Sequence, residues 1–451
     1  MRGMEWRLDP DPQGRAPYLR IVALLERAIE QGQLRPGDRL PSQRSLAQQL
    51  GVDLTTVTRA FGEAKQRGLV DARGPQGSFV APPKVEVAHT VDLSMNIPPQ
   101  PAGFDLPLNL RRGLAQVIAR SDAASLMTYH RGGGNQADRK AAQRWLAPWC
   151  GHVPTERIVV TPGAQAALAM LIACATGRDD VILCEPHTYP GLLSAATVLG
   201  RPVQAVAADE HGMRPDALEQ QLRRNPRALL YLNPTAQNPN ARTMPLQRRQ
   251  ELAKVIQAHA LLVIEDDPYQ LLTSAEPPPP LLQLVPEHVC HVSTLAKCLT
   301  PGLRTAFVVL PPRLPASRMQ AALHATHLMA APLTTALATQ WLLDGTANEL
   351  LAQVQEESRE RCAIARTLFT GSKVSCDGIQ LWHPLPRHWP MAKFEQAAQQ
   401  IGLSVATADS FATPGAEPIE AIRVSLGSAG SRSELTSALR RLDQLIQQRP
   451  Q

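Results

Sequence analysis

Aromatic side chains make up only 4% of the 451 residues, so the interior has to be built mainly from aliphatic groups. Lysine is rarer still. Lys65, Lys84, Lys140, Lys254, Lys297, Lys373 and Lys393 are the full set, and arginine carries most of the positive charge. The seven cysteines (150, 174, 184, 290, 298, 362 and 376) are odd in number and include no CxxC pair, which argues against a disulfide framework and a zinc site. No stretch reaches the roughly 18–20 uninterrupted apolar residues needed to span a bilayer. Residues 1–15 lack the apolar run of a signal peptide, so a cytoplasmic location is expected.

What is present is a globular composition. With 44% hydrophobic and 19% charged residues the chain can bury a large core, which excludes wholesale disorder. Its length suggests several structural units, and forty prolines imply many turns. A net charge of +6 permits a polyanionic partner without demanding one.

Between Tyr18 and Val80 the apolar residues recur at helical spacing, with Ile21, Leu24, Leu25, Ala28 and Ile29 on one face. A turn is expected at Arg35-Pro36-Gly37-Asp38. A second helix starts from Ser42 as N-cap and ends at Gly51, and a third runs from Asp53 to Arg67 and ends at Gly68. Leu69–Ala72 and Ser78–Val80 read as strands around a Gly74–Gly77 turn. The outline is a winged helix-turn-helix over residues 1–80. Residues 81–91 read as a linker, because Pro82-Pro83 prevents helix continuation.

From 92 to 451 the pattern changes. Apolar runs Ile158–Val160, Val181–Cys184, Ala228–Leu232 and Leu261–Ile264 alternate with helical segments near 164–176, 190–199, 215–224 and 246–259. This predicts a mostly parallel sheet covered on both faces.

The run Leu34-Arg35-Pro36-Gly37-Asp38-Arg39-Leu40-Pro41-Ser42-Gln43-Arg44, followed by Leu46-Ala47 and Thr55-Thr56-Val57-Thr58-Arg59-Ala60, resembles the GntR family of bacterial winged-helix regulators. The resemblance implies double-stranded DNA as partner, with Arg44, Thr55, Thr56, Thr58 and Arg59 on the reading surface and the wing at Gly77 beside the minor groove. Small hydroxyls and guanidinium groups suit base edges and phosphates. Without the motif, a trihelical interaction module with merely solvated charges would be the simpler reading. Leu54 and Thr58 stand where many members carry basic residues.

Lys297 follows an apolar strand in His291-Val292-Ser293-Thr294-Leu295-Ala296-Lys297. An apolar setting lowers an amine's pKa and favours condensation with an aldehyde. Ser293, Thr294 and Arg304 are candidate phosphate ligands. A lone lysine after a strand usually sits on the surface, but three more segments gather at strand ends, where open α/β sheets bind ligands. These are Thr161-Pro162-Gly163-Ala164-Gln165, Asn233-Pro234 through Asn240, and Glu265-Asp266-Asp267-Pro268-Tyr269.

Together they resemble the fold-type I aminotransferases, from about residue 92 to 445: a large parallel-sheet subdomain and a small C-terminal α+β subdomain. The resemblance implies pyridoxal 5'-phosphate, with Lys297 forming its imine, Asp266 on the pyridine nitrogen, and Asn238 and Tyr269 on the phenolic oxygen. Tyr189 is implied to stack on the ring, and Ala164, Gln165, Thr294 and Arg304 to hold the phosphate. Arg423 is implied to take a substrate or effector carboxylate. Tyr129, before Gly132-Gly133-Gly134, is implied to reach a partner subunit's phosphate, hence a homodimer. Asn240-Ala241 replaces the family's Thr-Gly, which predicts a less tight turn, and Gln136–Arg144 departs from the family's helix pattern.

The fusion resembles the MocR/GabR subfamily of GntR regulators, with Asp92–Pro99 matching its junction. This implies a transcriptional regulator that senses an amino acid or other amine through an external aldimine. Two alternatives stand beside it: an active aminotransferase with a DNA-binding appendage, and a regulator whose second domain serves only dimerisation.

Overall fold

The computed structural model describes residues 6, 16–30, 33–35, 37–66, 69–72, 77–81, 90–370 and 374–449. Pro36, the expected helix end at Arg67 and Gly68, the expected turn residues Gly74, Pro75 and Gln76, and residues 82–89 of the expected linker lie outside them. The chain divides into two compact units, residues 1–89 and Thr90–Gln451.

In the first unit, α1 (Pro17–Glu30), α2 (Gln43–Leu50) and α3 (Leu54–Gln66) precede a hairpin of β1 (Val70–Ala72) and β2 (Ser78–Val80). Ile21, Leu25, Leu46, Val57, Ala60 and Val80 bury themselves in a common core. Ser42 caps α2 by accepting from the Ser45 amide, and Gly51 ends it in the left-handed region at φ 64°. Asp53 accepts from the Thr55 amide at 2.7 Å and caps α3. One feature lies beyond the sequence pattern. The Gly37–Leu40 segment joins β2 through an isolated antiparallel bridge between Arg39 and Phe79, with Gly37 N to Val80 O, Val80 N to Asp38 O and Leu40 N to Ser78 O.

The second unit is built on a seven-stranded sheet of β4 (Ile158–Thr161), β5 (Val181–Cys184), β6 (Val203–Ala205), β9 (Ala228–Leu232), β10 (Leu262–Asp266), β11 (Val289–Thr294) and β12 (Ala306–Val309). A small hairpin of β7 (Ala208–Asp209) and β8 (Gly212–Met213) lies between β6 and β9 in the chain. The spatial order is β4-β12-β11-β10-β9-β5-β6. All pairs are parallel except those of β12, which runs antiparallel to both neighbours. Alternate residues feed opposite faces: Ile158 and Val160 join one core, Val159 the other. Burial on both faces is why these strands read as continuous apolar runs.

The predicted helices appear as Ala164–Ala175, Pro190–Val198, Pro215–Arg224 and Leu246–Ala258. Gln136–Cys150, despite its departure from the family pattern, is a helix with a reciprocal capping box between Asn135 and Asp138.

A smaller sheet, of β13 (Ser375–Asp377), β14 (Gln380–Pro384), β16 (Ala406–Thr407) and β17 (Ala421–Ser425), forms a second core against the helices Thr346–Leu368 and Arg432–Gln447. The first described residues of this unit are drawn onto it. β3 (Val91–Asp92) pairs in parallel with β15 (Leu403–Ser404), and Ser425 N donates to Leu93 O. Gly427 permits this approach: a Cβ there would lie 1.8 Å from the Ile97 carbonyl oxygen.

Candidate functional site

The C-terminal ends of β4, β5, β9, β10 and β11 converge on one chamber lined by Ala164, Tyr189, Asn238, Asp266, Tyr269, Thr294 and Lys297, together with Tyr231, Asn233 and Pro268. Lys297 rides on the single turn Leu295–Cys298, which Thr294 caps by accepting from the Ala296 amide at 3.2 Å. Burial pulls the Lys297 amine down to about 8; Arg423 adds to that effect and Asp266 opposes it. Its Nζ donates to the Asn96 carbonyl oxygen at 2.5 Å.

Asp266 is 3% exposed, and burial raises its carboxyl to about 6. Oδ2 accepts from the Tyr231 hydroxyl at 2.8 Å, whereas Oδ1 is buried without a protein partner. An orphan carboxylate oxygen at this depth fits a ring N–H donor. The Asp266 carbonyl accepts from Asn233 Nδ2 at 2.6 Å, and Asn233 Oδ1 in turn accepts from the Asn238 amide at 2.7 Å. Asn233 thereby ties two strand ends together.

Tyr269 and Tyr189 are kept as phenols by burial, Tyr189 at about 12. The Tyr269 hydroxyl accepts from Asn96 Nδ2 at 3.1 Å, and the same amide nitrogen donates to Gln380 Oε1 at 2.7 Å. Arg423 is buried on β17. Its Nη1 donates to Asn238 Oδ1 at 2.8 Å, Nη2 donates to the Ser94 carbonyl, and the guanidinium lies over the Phe411 ring at 5.0 Å. Residues 94–96 thus form a strap whose carbonyl oxygens engage both the lysine and the arginine of the site.

At the head of the helix Ala164–Ala175, Gly163 offers no side-chain cap and leaves the first-turn N–H groups available to an anion. Arg304, at φ 45°, presses its guanidinium against Gly163, where a Cβ would come within 2.7 Å of it. Arg304 Nη2 donates to Pro162 O at 3.3 Å, and Gln165 Nε2 to Gly191 O at 2.8 Å. Tyr129 is 77% exposed and outside the chamber.

The turn after Asn238 corrects a prediction. With Asn240-Ala241 in place of Thr-Gly a looser turn was expected, but the turn is tight: Ala241 N donates to Gln237 O at 2.6 Å and Gln237 N to Arg242 O at 2.8 Å. Ala241 takes the glycine-like conformation itself at φ 56°, and Asn240 Oδ1 supports it by accepting from the Arg242 amide.

In the first unit, Arg44, Thr55, Thr58 and Arg59 are exposed and Thr56 half-buried. Thr55 Oγ1 donates to Asp53 at 2.5 Å, and Thr58 Oγ1 lies 2.9 Å from both Leu54 O and Gln43 Oε1. The Arg59 guanidinium lies 4.1 Å from the centre of the Tyr18 ring. At the wing, Gly77 has φ 100°, and a Cβ there would be in ordinary contact with the Arg39 guanidinium, 3.4 Å from Nε. Arg39, Asn96, Tyr231 and Gln380 were assigned no role in the sequence, although Arg39 and Asn96 lie inside quoted motifs, and Asn233 stood only as the start of a strand-end segment.

The fold and the chamber define a cofactor-dependent aminotransferase framework joined to a winged helix-turn-helix. The comparisons agree. The model for aminotransferase class I and II matches residues 88–442, and that for bacterial regulatory proteins of the gntR family matches 17–80. The chain belongs to the aminotransferase class I and II family and carries a GntR helix-turn-helix ahead of it, the architecture of MocR/GabR-type transcriptional regulators. It is 27% identical to the HTH-type transcriptional regulator YdeF of Bacillus subtilis, over 98% of this chain and 97% of that protein. It is 28% identical to the HTH-type transcriptional regulator TauR of Rhodobacter capsulatus, over 67% of this chain and 69% of that one. Its fold is similar to a kynurenine aminotransferase of Pyrococcus horikoshii, with TM-score 0.72 at 22% identity, covering 80% of this chain and 92% of that one. Among the described residues no helix is long and apolar enough to cross a membrane.

Proposed function

We propose that this DNA-binding regulator, with its winged helix within residues 1–80, a linker at 81–91 and the effector unit at 92–451, senses a small amine that also carries an acid group. The cofactor is pyridoxal 5'-phosphate. When bound, it supplies an aldehyde carbon for which Lys297 and an effector's amine compete, and a ring that withdraws electrons. The orphan Oδ1 of Asp266, set opposite a lysine amine held near 8, carries this reading.

Each residue then has a task. Asp266 holds the ring nitrogen, with Tyr231 fixing the carboxylate. Asn238 and Tyr269 hold the phenolic oxygen, and Tyr189 covers the ring face. The first-turn amides at Ala164 and Gln165, with Thr294 and Arg304, take the phosphate. Tyr129, exposed in the single chain, reaches the phosphate of a second copy in a homodimer. Arg423 takes the effector's acid group by its fork. Its Nε, buried without a protein partner, is a free donor for that group, an acid group there competes with Ser94 O for the guanidinium, and Lys297, once engaged elsewhere, gives up Asn96 O. Toward the N-terminus the strap runs through Leu93 and β3 (Val91–Asp92), which Ser425 and β15 anchor, and only then does the sequence reach residues 82–89, the connection to the DNA-binding unit. On that unit Arg44, Thr55, Thr56, Thr58, Arg59 and the Gly77 wing face the operator.

An effector preferring one state by 5- to 150-fold would supply about 1–3 kcal/mol of coupling. The test is operator affinity measured with and without amines that shift the visible spectrum of the protein. A changed affinity supports the reading. Unchanged affinity for every such amine, with sustained turnover of an amino acid and a 2-oxo acid, would make the protein an enzyme instead.

A further inference from the structure

Seven cysteines occupy this chain, and two of them differ in kind from the rest. All but Cys376 are buried, and three of the others donate to or meet oxygen: Cys184 the Thr413 hydroxyl, Cys174 the Arg318 carbonyl, Cys298 the Thr294 carbonyl. Cys362 and Cys376 face each other, with their sulfurs 2.7 Å apart. Cys362 lies on the helix Thr346–Leu368 and Cys376 on β13, and only Cys376 is partly exposed. Cys376 also lines a cleft with Ser274, Arg366 and Asp377, which brings solvent to the edge of the pair.

The surroundings favour reaction. Arg366 Nη2 donates to the Cys376 carbonyl oxygen at 2.7 Å, which fixes a cation next to the thiols. The bond from Cys376 draws the Cys362 thiol down, aided by Arg366, while the same bond and burial hold the Cys376 thiol up. The nucleophile is therefore the buried Cys362, so the peroxide must pass Cys376 to reach it, and Cys376 is the sulfur that then closes the bond.

We propose that Cys362 and Cys376 are a reversible disulfide site, closed by peroxides and reopened by dithiols. Closure forms one S–S bond and breaks two S–H bonds. The two thiols give up two electrons and two protons, and the peroxide O–O bond takes them up, so hydrogen peroxide leaves as two waters. A dithiol reverses the step and becomes a disulfide itself. The absence of a structural disulfide framework agrees with a transient, regulatory bond.

The bond would staple the β13–β14 hairpin to the helix Thr346–Leu368. That hairpin reaches the chamber, since Gln380 at the start of β14 accepts from Asn96 Nδ2 and donates to the Ala236 and Gln237 carbonyls. Peroxide thus becomes an input at the element that supports the strap.

The experiment treats the full-length protein, loaded with pyridoxal phosphate, with hydrogen peroxide, then unfolds it in an alkylating reagent and maps the peptides. The expected result is two fewer alkylated thiols than the seven of the chain. It comes with a Cys362–Cys376 cross-linked peptide that dithiothreitol abolishes and that Cys362→Ser lacks. Should that variant fail to fold, Cys376→Ser serves the same purpose, and the wild-type map stands without either. Full alkylation after peroxide, a different pair in the cross-link, or Cys376 as sulfinic acid beside an alkylated Cys362 would overturn the proposal. None of these outcomes depends on the amine-sensing reading.

Discussion

Burial, more than their mutual attraction, sets the charge of Lys297 and Asp266. The amine near 8 is about half neutral at that pH, where an ordinary lysine would be almost wholly protonated. Capture of pyridoxal phosphate by the ligand-free protein is therefore expected to accelerate as pH rises through about 8, and Lys297→Ala to abolish the visible band that borohydride removes. Stopped-flow absorbance checks both.

Asp266 carries a stability signature of its own. Its folded pKa of about 6 lies above the ordinary 3.8, so the folded ligand-free protein keeps a proton that the unfolded chain releases. Its contribution to stability falls as pH rises from about 4 to about 6, by about 3 kcal/mol. Buried Asp267 and Glu185 are raised likewise, so the measurement is the difference between wild type and Asp266→Asn in denaturant unfolding. A difference flat across that window would contradict the burial argument. Lys297, Asp266 and Tyr269 were legible in the sequence because each stands a few residues past an apolar run. Tyr231 and Asn96 were not: a hydroxyl inside a β-run and an amide beyond a linker acquire meaning only from a partner far along the chain.

At the scale of elements, local rules held where the signal was local. Ser42 and Asp53 cap the helices they precede, and Ser42→Ala is expected to cost the first unit about 1 kcal/mol in thermal unfolding. The Asn240-Ala241 turn shows the limit of such rules. Two missing residues suggested a loose turn, but Asn240 and the Gln237–Arg242 backbone bond hold Ala241 at positive φ. Ala241→Gly is expected to stabilise the second unit by about 0.5–1 kcal/mol, relieving the left-handed alanine at some entropic cost; a drop in stability would show that no strain is held there. The turn expected at Arg35–Asp38 closes through Asp38 N to Arg35 O, and what the local pattern did not show is the bridge from Arg39 to Phe79 just after it.

For the whole molecule, the expected behaviour is a linkage between chamber and operator. Arg44→Ala should weaken operator binding and, if Arg44 meets a phosphate, reduce the slope of log affinity against log salt by about one. It should leave the visible spectrum unchanged, since its unit holds none of the chamber residues. Arg423→Ala should do the reverse, preserving operator binding while removing the response to acid-bearing amines. Titrations of fluorescent operator DNA across salt and ligand separate the two. A spectrum altered by Arg44→Ala would deny the division of labour between the units.

Local pattern did not show the antiparallel β12, but it was enough to read the two-unit layout, a mostly parallel sheet covered on both faces and the strand ends where the chemistry gathers. These follow from periodicity and from capping and turn residues, which act over a few positions. Tertiary structure alone decided which groups answer one another. Asn96 reaches Lys297 across 201 residues and Gln380 across 284, Arg59 lies over Tyr18, and Cys362 meets Cys376 although neither spacing nor motif marks them. Such pairings depend on packing, because burial makes a polar group seek whichever partner the fold brings within hydrogen-bond reach, and no local pattern encodes that distance.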